Sequence, residues 1–336
     1  MGYKRNIRLI YGIWFLGAFL PIIPVFLPFF VNWGGLSYAK AFFLEGWFLA
    51  CMVLLEVPTG AVADKISRKL SIFLGFSILT IGTLAFAITP NFWLFLLGES
   101  LWGLGITFIS GSTEALLFDS LKAIGKSQKS KGFFLNLKSM ELIAFALVSP
   151  IGGYMAGINL RLPMLASAFF LMLGALLALF LKEPPMHRET GYSGLIKGSF
   201  RHLLQNKPLL IMALDFVLIG AFLNLAFWLW QAAMMNAGLT LYYFGIVAAI
   251  IMVFSLIIVL RAQMLEKQFG AKRLLQLTAF LPGLMYILSG LTLYIPLIVG
   301  AMCIIFAAFS IREPLFNHYM NQLIPSKNRA TVLSVV

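Results

Sequence analysis

Long apolar runs separated by short polar connections set the pattern of the chain. Ten runs can be placed, at about 9–31, 40–62, 70–88, 92–117, 133–158, 161–181, 208–234, 240–260, 274–290 and 293–318. Each is close to the roughly twenty residues that carry a helix across a bilayer. Backbone exposed to lipid must satisfy its own hydrogen bonds, so every run predicts a helix and the fold class is all-α and polytopic. The first run follows Lys4, Arg5 and Arg8. It is too long for the apolar core of a signal peptide and lacks a small-residue cleavage site, so it reads as the first membrane helix.

Composition agrees with that pattern: 61% of the 336 residues are hydrophobic and 11% charged, and mean hydropathy is +0.94, which excludes a soluble domain of this size. The formal charge of +13 would suit nucleic acid, but its distribution argues against that partner. Of the 25 lysines and arginines, 22 fall at the N-terminus and in alternate connections, Lys40 and Arg161 lie on the other side, and Lys138 sits within the fifth run. The positive-inside rule then places the N-terminus in the cytoplasm and the chain in the plasma membrane, with acidic lipid headgroups as counter-charge. Cys51 and Cys303 fall inside apolar runs and read as core residues. His187, His202 and His318 have no ligand spacing, so no metal and no cofactor is expected. A monomer is expected.

The longest connection, 182–207, carries Pro184-Pro185 and Gly191-Tyr192-Ser193-Gly194, a linker composition with one short amphipathic helix expected near 193–205. It divides the chain into an N-terminal six-helix bundle (1–181), a cytoplasmic linker (182–207) and a C-terminal bundle (208–336). An internal repeat supports the division. Glu266-Lys267-Gln268-Phe269-Gly270-Ala271-Lys272-Arg273 echoes Asp64 to Lys69 at a shift of 202 residues, and the same shift carries the end of the fourth run near 117 to the end of the tenth near 319. Continued over a full half, the repeat calls for two helices more than the ten runs, and Arg329 to Val336 reads as the start of an eleventh.

One polar stretch organises the first half: Gly60-Ala61-Val62-Ala63-Asp64-Lys65-Ile66-Ser67-Arg68-Lys69, between the second and third runs. Its four charges predict a tight loop at the membrane surface. It resembles the loop between the second and third helices of the major facilitator superfamily, whose pattern is a glycine, three residues, an aspartate, a basic residue, any residue, a glycine and two basic residues. Gly60, Asp64, Lys65, Arg68 and Lys69 fit that pattern, and Ser67 replaces the second glycine. The resemblance implies two bundles rocking about a central site. It also implies a cytoplasmic gate, in which Asp64 caps a helix and Arg68 pairs with Asp119 or Glu114 at the inner end of the fourth run. An ordinary solvated turn is the plainer reading, and exposed pairs there contribute about 0–1 kcal/mol.

Two further stretches are similar to drug-exporting members of that superfamily. The fourth run, Gly98-Glu99-Ser100-Leu101-Trp102-Gly103-Leu104-Gly105 through Glu114 to Asp119, is glycine-rich with an acidic end, but Glu99 stands near where such helices often carry an arginine. In the fifth run, Ser149-Pro150-Ile151-Gly152-Gly153 matches the antiporter signature at Pro150 and Gly153 and departs from it at Ser149 and Ala146. The physical use would be a bent helix with a flat face, and a simple small-residue seam would look the same.

Acids inside membrane runs are costly and usually functional. Asp215, Glu56, Glu141 and Glu99, in that order, are the candidate proton carriers, because a carboxyl removed from water can be neutral at physiological pH. The alternative for each is a carboxyl satisfied by Lys138, Arg312 or a serine. Pro21, Pro24 and Pro28 in the first run, and Asn224, Trp228 and Gln231 in the seventh, suit a cavity wall for an amphipathic small molecule. Trp230 reads as an interfacial anchor. The resulting expectation is a secondary active transporter, not an enzyme, with a small-molecule substrate, protons and membrane lipids as partners. Proton-coupled efflux of hydrophobic compounds leads, and uptake by symport is the rival. An integral-membrane lipid-acting enzyme would want clustered His, Asp or Cys at one depth, and a sensor an appended soluble domain; neither is evident.

Overall fold

A computed structural model describes residues 2–65, 67–126, 130–183 and 205–323. The main helices of the described residues are α1 (Gly2–Ala18), α2 (Tyr38–Lys65), α3 (Arg68–Ile88), α4 (Phe92–Ala123), α5 (Ser130–Ile158), α6 (Arg161–Ala178), α7 (Lys207–Asn236), α8 (Leu241–Leu260), α9 (Ala262–Phe269), α10 (Ala271–Gly290) and α11 (Ile295–Leu323), joined by short connections. Nine helical segments among them are long and apolar enough to cross a membrane. The run expected at 274–290 does form a helix, α10, but one less apolar than those nine. The helix expected near 193–205 and the segment 329–336 lie outside the described residues.

The chain divides into two compact units, one of Met1–Met186 with Gly238–Ile250 and one of His187–Ala237 with Ile251–Val336. In the first unit α1 stops at Ala18, and the chain continues through a 3₁₀ turn (Ile23–Val25) and a π turn (Phe29–Trp33). Pro21, Pro24 and Pro28 cause the break, since proline offers no N–H and clashes with the preceding turn. Part of the freed backbone finds a partner in a side chain: the Ile22 amide donates to Ser167 Oγ at 3.1 Å. The broken segment presents Phe26, Phe29 and Phe30 to Phe86, Phe95 and Trp102, with linked ring centroids 4.8–6.2 Å apart. Trp102 Nε1 donates to Thr83 Oγ1 at 2.9 Å, which satisfies the one polar atom of that ring inside the cluster.

Helices gain little from leaving lipid for one another, so close packing has to hold them together. α3 and α4 achieve it through glycine: a Cβ on Gly75 would lie 2.7 Å from the Gly105 carbonyl oxygen, and one on Gly105 would lie 2.9 Å from that of Gly75. Outward faces stay apolar, with Val53, Leu54 and Trp93 more than 70% exposed, as lipid contact requires. In the second unit Leu274, Ile311 and Leu315 form a buried core between α10 and α11, with Ile258, Ala262, Leu265 and Leu275 packed against it. Tyr286 Oη ties α10 to α7 by donating to the Phe222 carbonyl at 2.7 Å.

Candidate functional site

The polar stretch at 60–69 is not the free loop that its charges predict. α2 continues to Lys65 and α3 begins at Arg68, so most of the charges ride on helix ends. Helical backbone satisfies itself wherever it lies, so only the side chains have to reach the headgroups. Ser67 is the N-cap of α3: its Oγ accepts from the Leu70 amide at 3.1 Å, with φ −175° and ψ 131°. That extended backbone suits any residue, and the hydroxyl supplies a cap that glycine would lack. The Glu183 carboxylate, beyond the end of α6, completes the arrangement. It accepts from Ser67 Oγ at 2.9 Å and from the amides of Arg68 and Lys69 at 3.0 and 3.1 Å. An anion at a helix N-terminus also meets the positive end of the helix dipole.

Arg68 Nη1 bonds Asp119 Oδ2 near the end of α4, and Glu114 is an exposed residue one turn earlier. Gly60 has open space about it. The side chains of Asp64 and Lys65 lie outside the described residues. Nearby, Asn6 is buried at 1% exposure and joins three elements. Its Nδ2 donates to Ser120 Oγ at 3.1 Å and to the Lys182 carbonyl at 2.6 Å, while the Lys182 amide donates back to Oδ1 at 2.9 Å. Sequence reasoning missed both Asn6 and Glu183. The available signals were an amide inside the basic N-terminal turn and an acid at the head of a basic connection.

Three of the four membrane acids have polar partners. Asp215 Oδ2 bonds Arg312 Nη2, and Arg312 Nη1 donates to the Leu275 carbonyl and to Thr278 Oγ1, both at 3.0 Å. Glu141 pairs with Lys138 at 3.0 Å, and Glu56 Oε1 accepts from Ser110 Oγ at 3.4 Å. Glu99 differs: it is 1% exposed, and its Oε1 has no hydrogen-bond partner.

A cavity of about 220 Å³ opens within the first unit. Aromatic side chains Trp14, Phe76, Trp102 and Phe145 wall it, and Ser110 and Glu141 are its polar residues. Glu56 reaches that lining through Ser110. The residues proposed for a cavity wall in the second unit are placed otherwise. Trp228 and Gln231 are buried, Gln231 Nε2 donates to the Phe227 carbonyl at 3.2 Å, and Asn224 is exposed. Trp230, expected at the membrane interface, is 3% exposed.

Pro150 and Gly153 lie on a close-packed face of α5. A Cβ on Gly153 would stand 2.6 Å from the Gly245 amide nitrogen and 2.7 Å from the Tyr242 carbonyl oxygen, so the first half of α8 rests directly on this glycine. Gly245 in turn faces the Ser149 carbonyl and Pro150, and Gly152 sits against the Pro21 carbonyl.

Comparison with known proteins agrees with this architecture. Multidrug resistance protein 1 of Bacillus subtilis (strain 168) is 25% identical over 209 residues, 62% of this chain and 52% of that protein. The chain thus spans about half the length of this relative. Among solved structures, a point mutant of the nucleoside transporter NupG superposes with a TM-score of 0.83 at 15% identity, covering 99% of this chain and 86% of that one. A D-xylose-proton symporter superposes with a TM-score of 0.69 at 14% identity, with the same coverage. Identities this low speak for fold alone. The profile of the Major Facilitator Superfamily matches residues 9–336, and the chain belongs to that superfamily.

Proposed function

We propose that the chain works in a proton-coupled secondary transporter that expels hydrophobic or amphipathic small molecules across the plasma membrane by alternating access. The cytoplasmic N-terminus, the two-bundle organisation with its break at 182–207, and the monomeric state belong to the same reading, on the charge asymmetry and the repeat. The observation that carries it is the 220 Å³ cavity, in which aromatic walls surround a carboxyl. Such a lining takes a flat apolar body by stacking and a positive charge by cation–π attraction and ion pairing. Glu141 is held by Lys138 and offers an exchangeable pair: a cationic substrate displaces Lys138, and a proton arriving on Glu141 releases the substrate. The drug-resistance name of the Bacillus relative favours export. Symport is the second reading; the D-xylose-proton symporter, which shares the fold, shows that the same architecture serves that direction in another protein.

Binding of tetraphenylphosphonium, read by quenching of tryptophan fluorescence, tests the site. Glu141→Gln should weaken binding about ten-fold, equivalent to about 1.4 kcal/mol. Gly17→Leu, which grows a side chain into the cavity wall beside Phe76, should weaken it at least as much. Unchanged affinity in both variants would show that the cavity is not the binding site.

A further inference from the structure

We propose that Ser110, held by Glu56, and Glu141 form a two-point seat for N–H groups, so that the cavity of the first unit selects primary ammonium compounds over quaternary cations on the same ring frame. The inference rests on that cavity being the substrate site and adds which cations it prefers. Aromatic walls and a carboxyl do not make this choice, because cation–π attraction and ion pairing act on a positive charge whether or not it is methylated. A neutral hydrogen-bond acceptor does make it, because a quaternary nitrogen has no hydrogen to donate. Ser110 is that acceptor.

A serine has one hydrogen to donate and two lone pairs that accept. At several places in these helices that hydrogen goes to the carbonyl one turn back: Ser77, Ser100, Ser149, Ser167 and Ser255 each donate to the residue four positions earlier, at 2.6–2.9 Å. Ser110 of α4 reaches across to α2 and donates to Glu56 Oε1 at 3.4 Å. With its hydrogen drawn toward α2, Oγ offers a ligand its lone pairs. Ser110 lines the cavity together with Trp102, Ile106 and Ile109 of the same helix, and it is the acceptor that α4 contributes. Glu56 acts through it, as a positioning residue.

Glu141 supplies the second acceptor, from α5 and on the lining of the same cavity. Its present partner shows what the group takes. Lys138 Nζ, which donates to Glu141 Oε1 at 3.0 Å, is itself a primary ammonium. A ligand ammonium carries three N–H groups, enough to replace Lys138 on Glu141 and to reach Ser110 as well. The ring of the ligand then lies against the aromatic walls. Trp102 is set for that contact: its N–H donates to Thr83 Oγ1 at 2.9 Å, and its ring stacks on Phe26 with centroids 5.4 Å apart. Charge and ring thus bring a cation into the cavity, and the pair of acceptors distinguishes one cation from another.

Calorimetric titration of the purified chain in lipid nanodiscs tests the proposal with two probes, naphthylmethylammonium and its trimethylated analogue. The parent chain should bind the ammonium about ten-fold more tightly, as one hydrogen bond to a charged group allows. Ser110→Ala should remove that preference by weakening the ammonium alone, and Ser110→Thr, which keeps the hydroxyl, should retain it. Glu56→Leu should narrow the ratio of the two affinities, whereas Glu56→Gln, which keeps an oxygen for the serine, should preserve it. Equal affinities in the parent chain, or a ratio unchanged by Ser110→Ala or by Glu56→Leu, overturns the proposal. Glu141→Gln separates that failure from failure of the site. If it weakens both probes while Ser110→Ala leaves their ratio alone, the cavity stands and the seat falls. If neither Glu141→Gln nor Gly17→Leu affects either probe, the cavity is not the binding site and the seat falls with it.

Discussion

Ser67 shows how one residue can depart from a family pattern at no cost. Its backbone is extended, and its hydroxyl caps α3. Ser67→Gly should therefore cost a few tenths of a kcal/mol and Ser67→Ala about 1 kcal/mol, read as a shift in the thermal denaturation midpoint. A gain of stability in the glycine variant would contradict the capping role. Arg68 and Asp119 are mostly shielded, with side chains 16% and 28% exposed. Arg68→Gln and Asp119→Asn should each destabilise, and the double variant should be no worse than the more damaging single one. The expected coupling is about 1 kcal/mol; strict additivity would remove the pair from the account. Arg68, Asp119, and the serine in place of glycine were legible in the sequence because each falls within or opposite a recognisable pattern. Glu183 was not, because its contact with Ser67 joins residues more than a hundred positions apart and no periodicity encodes it.

At the scale of elements, hydrophobic runs located the helices well because bilayer thickness fixes their length. Their ends were less legible. α2 and α3 extend into the charged stretch, since charge is expelled from lipid but not from a helix. The proline break after α1 was readable, whereas the rescue of the Ile22 amide by Ser167 was not. Gly153 against Gly245 offers a direct test of helix packing. Gly153→Ala places a methyl group against backbone and should cost about 1–3 kcal/mol, while Gly220→Ala, with open space around it, should cost nothing. Equal effects of the two would show that the α5 seam is loose. Asp215 and Arg312 link α7 to α11, and Arg312 is the buried partner. Asp215→Ala should destabilise the chain by removing an acidic partner of the buried guanidinium. Adding Arg312→Met should recover most of the loss, because a buried pair is worth less than the cost of breaking it.

At the scale of the whole molecule, the account joins a family fold to a proton-driven cycle. The class of molecule was legible because composition and charge asymmetry are global properties. Lys138, Arg312 and a serine could be named from sequence as a pool of partners for the membrane acids, because few polar residues share their depth, but which one meets Glu141, Asp215 or Glu56 depends on how the helices assemble. The burial of Glu99 could not be read from sequence, since it too depends on how helices assemble. The measurement that bears most directly on the account is substrate-driven proton movement, in liposomes that hold a pH-sensitive dye and the reconstituted protein. Adding tetraphenylphosphonium should drive protons against the direction of the substrate, and Glu141→Gln should abolish that counterflow. Full substrate flux with no proton movement would contradict the account.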